Sequence, residues 1–342
     1  VSGHIVTEAC RGCLAHRCED VCRRGAITFD EHQRAHIDKS KCVECGQCAK
    51  VCPYGAIMNQ KRPCERACKI KAISMSSEEH RAAHIDNEKC ISCGACVYQC
   101  PFGAIVDKSF ILDAVELLKK SRDNEDYKVY AVVAPSISSQ FSYAKLGQVI
   151  TGIQRLGFFH VIEAALGADM VAYQEAEELA EKGFLTSSCC PAFVSYIDCT
   201  LTFEELQALF DSRNIDLTTL PEGVLDNASY YGRIFARSGG LTDAVTEALQ
   251  EQGNTDFKLN AIACDGIEAC RTALMRASKN VLPNNFIEGM ACLGGCIGGA
   301  GCLTHGDKNK ADVDKYGREA MEKSIVDAIS VTDVGPNPAV KP

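Results

Sequence analysis

The 342-residue chain has no tryptophan, only 6 methionines, and no apolar run near the length that crosses a bilayer. A membrane-spanning protein is thereby excluded. Positive charge is also short, with 36 Lys and Arg against 45 Asp and Glu and a formal net charge of -9. Nucleic acid and anionic membranes are disfavoured as partners, because both need a basic footprint. No secretory leader is expected at the start. What the chain has in excess is cysteine. There are 22, most in tight C-x2-C groups that suit metal better than disulfides. Free thiols at this density belong in a reducing compartment, so a cytoplasmic protein whose cysteines hold iron or zinc is expected. With 46% apolar and 24% charged residues, and enough length for two or three cores, the composition is globular and the layout two-part.

The front third is a repeat. AHIDKSKCVECGQCAKVCPYGAI at 35–57 returns as AHIDNEKCISCGACVYQCPFGAI at 83–105, and two weaker copies interleave at 10–27 and 62–73. Each strong copy reads as a short strand, a Cys-Gly loop, a turn at Cys-Pro and a second short strand at Gly-Ala-Ile. The spacing C-x2-C-x2-C-x3-C-P at Cys42, Cys45, Cys48 and Cys52, and again at Cys90, Cys93, Cys96 and Cys100, is the bacterial ferredoxin pattern, in which the fourth Cys ligates the other cluster. Zinc sites need separated Cys pairs instead. Cys10, Cys13 and Cys18 form a third triad with a stretched last gap. Three triads predict three 4Fe-4S clusters, while Cys64 and Cys68 lie in a half-repeat that has lost its triad. Whether Cys22, Cys52, Cys68 or Cys100 completes a given cluster stays open, since adjacent and nested pairings both satisfy the spacing. His36 and His84 read as half-buried strand residues.

Beyond residue 105 the cysteine density collapses. Helical spacing over 110–118 precedes a polar linker at 121–126, a buried strand is expected over 129–133, an amphipathic helix from Leu146 to a stop near Gly157, and a further strand over 158–164. The alternation predicts an α/β domain whose loops carry the site. Two motifs there hold chemistry: SSCCPAF at 187–193 and MACLGGCIGGAG at 290–301. An adjacent Cys pair is better used as one metal thiolate and one free thiol than as a disulfide. The glycines around Cys292 and Cys296 predict that something large lies against that backbone, a metal site being favoured over a glycine-rich turn.

These two motifs, with ferredoxin half-repeats ahead of them, resemble the FeFe hydrogenases. The likeness extends to Ala134-Pro135-Ser136, GADMVAYQEAEEL at 167–179 and GRIFARSGGLTDAV at 232–245. It implies an α+β ferredoxin-like N-terminal iron-sulfur domain over 1–108, a helix and linker over 109–127, an α/β FeFe-hydrogenase catalytic domain over 128–330 and a tail over 331–342. It further implies reversible reduction of protons to hydrogen at an H-cluster, a 4Fe-4S cubane joined through one Cys to a two-iron centre carrying CO, CN and a bridging dithiolate amine. Electrons would pass through the N-terminal clusters to or from ferredoxin or a similar carrier, and hydrogenase maturation proteins would be partners.

Carried over by motif, Cys190, Cys292 and Cys296 match cubane ligands, with Cys296 bridging to the two-iron centre. Cys189 matches the thiol that passes protons, and Glu175 and Glu178 match carboxylates of the proton path. Pro135, Ser136, Phe235 and Met290 match residues packed around the two-iron centre. One family feature is missing: a segment after the Cys-Cys-Pro motif with a Pro-Cys-Thr-Ala-Lys-Lys type loop, whose Cys is the remaining cubane ligand. Here the chain runs directly from Ile197 to Asp198 and Cys199, so a ligand, a lysine and a relay serine fall in the gap. Cys199, Cys264, Cys270 and Cys302 remain as substitutes or as small buried hydrophobes. A non-catalytic hydrogenase-like iron-sulfur protein and an electron-relay subunit are the rival readings.

Overall fold

The structure, a computed structural model, describes residues 3–75, 83–106, 108–187, 199–225 and 227–331. Two compact units divide the chain, Val1–Val106 and Asp107–Pro342.

In the first unit the half-repeats become very short elements, because closely spaced cysteines leave room for little more than one helical turn. In order they are β1 (His4–Val6), α1 (Arg17–Asp20), β2 (Ile27–Phe29), β3 (Ala35–Ile37), α2 (Gln47–Val51), β4 (Ile57–Asn59), α3 (Pro63–Ala67), β5 (Ile73–Met75), β6 (Ala83–Ile85) and α4 (Ala95–Tyr98). Strand β1 pairs antiparallel with β4, β2 with β3 and β5 with β6. Helix α1 packs on α2 and α3 on α4, so the first half-repeat associates with the second and the third with the fourth. Gly46 and Gly94 open α2 and α4 at φ of 73° and 69°, a left-handed conformation that only glycine takes without cost. The strand expected at Gly103-Ala104-Ile105 does not form. By the repeat its partner would be β4, which is already paired with β1. His36 and His84 are exposed rather than half-buried, and His36 reaches Asp30 at 3.0 Å.

The second unit contains α5 (Ile111–Lys120), β7 (Tyr130–Val133), α6 (Leu146–Arg155), β8 (His160–Glu163), α7 (Ala165–Lys182), β9 (Leu185–Ser187), α8 (Phe203–Ser212), α9 (Tyr230–Ile234), α10 (Gly240–Glu251), β10 (Ala261–Asp265), α11 (Ile267–Ala277), β11 (Phe286–Met290), α12 (Lys308–Arg318) and α13 (Ile325–Ser330). Val149, Ile150 and Ile153 put one face of α6 into a core with Phe141, Leu209, Phe210 and Leu217. Gly157, at φ 112°, follows the end of that helix. Thr202 starts α8 with a capping box: the Glu205 amide donates to Thr202 Oγ1 at 3.1 Å and the Thr202 amide to Glu205 Oε2 at 2.8 Å. A second core joins α7, α10 and α13 through Ala172, Ala176, Leu179, Leu241, Val245 and Ile325.

Strands β7 and β8 pair in parallel, and β10, β11 and β9 form a parallel sheet with β11 in the middle. Parallel pairing with helical crossovers is the α/β arrangement that the alternation implies. Two local readings change. The 129–133 strand is half-exposed, Val132 at 45%, because β7 has one partner strand among the described residues. The 121–126 segment is a hydrogen-bonded turn: Ser121 is fully buried, and Asn124 donates to the Gly157 carbonyl at 2.9 Å and accepts from the Val129 amide at 2.9 Å.

Candidate metal centre

A parallel sheet collects its loops at the carboxyl ends of its strands, where ligands of α/β proteins bind. Here β9 ends at Ser187, β10 at Asp265 and β11 at Met290, with Cys292 two residues on. Cys189, Cys190 and the rest of the 188–198 stretch, including the Ile197 to Asp198 junction, lie outside the described residues. They follow Ser187 directly in sequence.

The 290–304 loop is fixed by main chain on every side. Its Gly294 amide donates to Asp265 Oδ1 at 2.6 Å, the Ser238 amide to the Gly294 carbonyl at 3.1 Å, and the Ile297 amide to the Ala236 carbonyl at 3.2 Å. A Cβ on Gly295, at φ 91°, would stand 2.7 Å from the Ala236 carbonyl oxygen, and one on Gly298 only 1.9 Å from the Leu293 carbonyl oxygen. At these two glycines the bulk pressed against the backbone is the protein's own chain, which corrects the expectation of a foreign group there. A Cβ on Gly299 would also meet main chain first, the Cys296 carbonyl oxygen at 3.2 Å, and then Cys302 Sγ at 3.8 Å and Cys292 Sγ at 3.9 Å.

The turn Pro135–Ser139 lies against the turn Cys296–Gly298. Pro135 and Ser136 are therefore brought to the loop of Cys296, Ser136 being buried. The side-chain oxygen of Gln140, itself buried, accepts from the amides of Leu303 at 2.8 Å and Thr304 at 3.3 Å. Met290 is buried at the end of β11, whereas Phe235 packs in the α7–α10 core with Leu241 and Phe286. Cys292 is partly exposed and Cys296 exposed.

Glu175 and Glu178 sit one turn apart on α7. Glu178 pairs with Lys182 at the surface. Glu175 accepts from the Ser187 hydroxyl, while its Oε2 is buried with no hydrogen-bond partner among the described residues. Burial raises the Glu175 pKa; the Ser187 bond opposes that, and the nearby Glu178 and Glu288 carboxyls add to it. Glu288 pairs in register with Ser187 across β11 and β9. It is fully buried and accepts from the Gly239 and Thr242 amides at 2.7 and 2.9 Å and from Thr242 Oγ1 at 2.6 Å. A carboxyl there suits the positive end of α10. Neither Ser187 nor Glu288 was reached from the sequence, although Ser187 opens the first cysteine motif and Glu288 stands two residues before the second.

In the first unit Cys22, Cys42, Cys45 and Cys48 line one cavity of about 540 Å³ together with Ala26, Ile27 and Ile37. His4 lines it too, its Nδ1 buried with no partner among the described residues. Four thiols in one apolar-walled hollow are the donor set of a cubane. Cys18 has Cys13 and Cys52 as neighbours, as Cys48 has Cys42, Cys22 and Cys45. Burial, the leading effect, raises the pKa of both thiols. Cys22 thus lies beside the triad of the second half-repeat and Cys52 beside that of the first. In the other pair Cys96 has Cys93 and Cys90 as neighbours. Cys68 Sγ accepts from the Ala72 amide at 3.1 Å, as Cys22 does from Ala26 at 3.4 Å and Cys100 from Ala104 at 3.3 Å. Cys10 is partly exposed. Among the described residues no three His, Cys, Asp or Glu side chains close around a single metal ion, and no helix is long and apolar enough to cross a membrane.

Comparisons with known proteins bear on both units. The family model of the iron only hydrogenase large subunit, C-terminal domain, matches residues 127–198 and 195–300. A 4Fe-4S dicluster domain matches 9–56 and a 4Fe-4S binding domain 83–106. The periplasmic Fe hydrogenase large subunit of Nitratidesulfovibrio vulgaris is 24% identical over 395 residues, covering 80% of this chain and 87% of its own. The NADP-reducing hydrogenase subunit HndD of Solidesulfovibrio fructosivorans is 22% identical, covering 90% of this chain and 66% of its own. A variant of the FeFe-hydrogenase HydA1 from Chlamydomonas reinhardtii superposes with a TM-score of 0.47 at 16% identity, over 66% of this chain and 93% of that one.

Proposed function

Because the chain belongs to the family of iron-only hydrogenase large subunits and carries 4Fe-4S ferredoxin-type domains ahead of that part, we propose that it interconverts hydrogen with protons and electrons. The observation that supports this reading is that the Ser187–Glu175 hydrogen bond and the start of the Cys292–Cys296 loop both lie at the carboxyl edge of the β9–β11–β10 sheet. Cys190, Cys292 and Cys296 would hold the cubane of the H-cluster, and Pro135, Ser136, Phe235 and Met290 would line the pocket for its two-iron part. When bound, that centre supplies the hydrogen bond-making chemistry, and the protein supplies ligation, a shaped pocket and protons.

Protons enter at Glu178 near the surface, pass to the buried Glu175, and move through the Ser187 hydroxyl toward Cys189. Burial raises the pKa of this carboxyl, which makes it a better proton acceptor than an exposed carboxylate, as a relay group needs to be. Cys10, Cys13, Cys18 and Cys52, then Cys42, Cys45, Cys48 and Cys22, and then Cys90, Cys93, Cys96 and Cys68 would each hold one cubane, and these clusters would supply electron transfer to the site. Ferredoxin or a carrier like it exchanges those electrons, maturation proteins install the two-iron part, and a reducing compartment such as the cytoplasm keeps the thiols free.

A second reading is favoured by one finding. The family match falls into two pieces that meet at 195–198, and the alignment to the N. vulgaris relative, at 395 positions, is longer than the chain itself. A hydrogenase-like protein with clusters but no two-iron centre, serving assembly, sensing or electron relay, would have lost such a segment. Infrared spectra of the chain co-produced with maturation proteins separate the two. Bands of CO and CN, with hydrogen release from a reduced viologen, support the enzyme; clusters without those bands leave the second reading.

A further inference from the structure

Among the described residues, three buried side-chain atoms lack a hydrogen-bond partner: Glu175 Oε2, placed in the relay above, His16 Nε2 and His4 Nδ1. The two histidines differ in their other contacts. The His16 ring stacks on Phe29 at 3.8 Å, and its Nδ1 meets Glu19 at 3.4 Å. His4 is only 7% exposed, and it lines the hollow shared by Cys22, Cys42, Cys45 and Cys48. A polar atom buried without a partner costs free energy, so a retained one calls for a use. Of the other polar side chains on those walls, Arg23 and Arg24 bring only donors and Gln47 is exposed. The acceptors that the hollow collects are sulfurs.

The place of the ring is fixed from two sides. Strand β1 lies ahead of the first half-repeat, which begins at Cys10, so His4 is an addition to the repeat. It pairs in register with Asn59 of β4, and its carbonyl accepts from Lys39 Nζ. The imidazole then lies against Gly46, where a Cβ would stand 3.3 Å from His4 Nε2 and 3.5 Å from its Cε1. Gly46 is between Cys45 and Cys48. The ring therefore touches the loop that carries the triad, and the missing side chain at Gly46 is what lets it come so close.

We infer that His4 donates a hydrogen bond from Nδ1 to a sulfur of the cluster held by Cys22, Cys42, Cys45 and Cys48, and so raises the reduction potential of that cluster. This rests on the reading of the hollow as a 4Fe-4S site. Thiolate and sulfide sulfurs accept hydrogen bonds and cannot give them, whereas a neutral imidazole carries one N–H to give. An electron added at the site makes the sulfurs more negative and strengthens the bond they accept, so the reduced form is favoured. The proton stays on the imidazole in both states, and no bond from nitrogen to iron forms. Four thiols already complete the ligand set, which leaves His4 the part of a donor beside it.

The test uses the full chain, reconstituted anaerobically with iron and sulfide and titrated with redox dyes under electron paramagnetic resonance. Cys45→Ala identifies the relevant component by its loss, together with about four iron atoms. His4→Phe keeps a ring against Gly46 and removes the donor. It should hold wild-type iron while the identified component becomes about tenfold harder to reduce at a fixed potential, a fall of about 59 mV for one electron. His4→Asn returns an N–H near the position of Nδ1 and should recover most of that fall, and His36→Asn, at the exposed surface, should change nothing. A wild-type chain grown with histidine carrying labelled ring nitrogens gives a readout that needs no variant to fold: a weak nitrogen coupling on the reduced component, as passes through a hydrogen bond. An unmoved potential in His4→Phe with iron intact would overturn the inference, as would the absence of nitrogen coupling in the wild type. A strong coupling would overturn it as well, since His4 would then be bound to iron. If Cys45→Ala keeps all its iron, the cluster reading fails and takes this inference with it; a cluster that needs Cys45 and is indifferent to His4 sinks the inference alone.

Discussion

Asp169, on α7, is fully buried and accepts from Ser229 twice, the amide at 2.8 Å and the hydroxyl at 2.5 Å. Burial outweighs these bonds and pushes its pKa up to about 7 from the ordinary 3.8. The unfolded chain releases this proton near the ordinary value while the folded chain keeps it, so the stabilisation is full below that value and is lost as pH rises through about 7. Asp169→Asn mimics the protonated form, and urea titrations at about pH 5 and about pH 8 should show a smaller fall in stability for the variant than for the wild type. Equal falls would mean that Asp169 is ionised in the folded protein. Ser187→Ala acts on the other raised carboxyl. Removing a donor to Glu175 raises its pKa further, so the carboxyl infrared band of the iron-free chain should titrate at higher pH and Ser187→Thr should restore it. In a matured chain the acid limb of the pH–rate profile moves the same way, and Glu175→Gln should cost about a hundredfold in turnover or more. An unmoved carboxyl band in Ser187→Ala would remove Ser187 from the relay.

At the scale of elements, the loop after β11 owes its shape to glycines in unlike surroundings. Gly294 and Gly295 both have left-handed φ, 82° and 91°, but a Cβ on Gly294 meets nothing within 4 Å, whereas one on Gly295 runs into the backbone of residues 236–238. Gly294→Ala should cost about 1–2 kcal/mol of backbone strain alone, and Gly295→Ala about 2 kcal/mol beyond that in chemical denaturation. Equal costs would show that the close approach is relaxed by a small shift. The glycine run was legible in the sequence as a place of crowding, but what crowds it was not, since the 236–238 turn is more than fifty residues away along the chain. The same limit explains the rest. Periodicity located α6 and β8 because burial of one face writes itself into spacing, and the ferredoxin cysteines were legible for a similar reason. The half-exposure of β7 and the bond from Ser187 to Glu175 depend on which strands and helices become neighbours, and no local pattern carries that. The nearness of Cys22 to the Cys42, Cys45 and Cys48 triad likewise needed the association of α1 with α2.

For the whole molecule the two units stand on different foundations. The buried apolar residues of the first unit are few and mostly small, among them Ala26, Ile27, Ala35, Ala56, Ile57, Ala72 and Ile73, so its folding leans on metal–thiolate bonds, as in small metal-held domains generally. The second unit has two extended apolar cores and a buried Arg233–Glu163 pair at 2.8 Å, completed by Tyr316. Cys68→Ala should remove about four iron atoms from the full chain, while Cys100→Ala, facing the half-repeat without a triad, should remove none. Calorimetry of chelator-treated full chain should keep the second unit's transition and lose the first. The loop bearing Cys292, Cys296 and Cys302 is held by amide bonds to Asp265, Ala236 and Gln140 that need no iron at all. On the proposed function it is a receptor finished before its cargo arrives: metal could be delivered late to the second unit, whereas the first would have to capture iron as it folds, so that iron starvation would cost the first unit its fold and leave the second unit's loop in place.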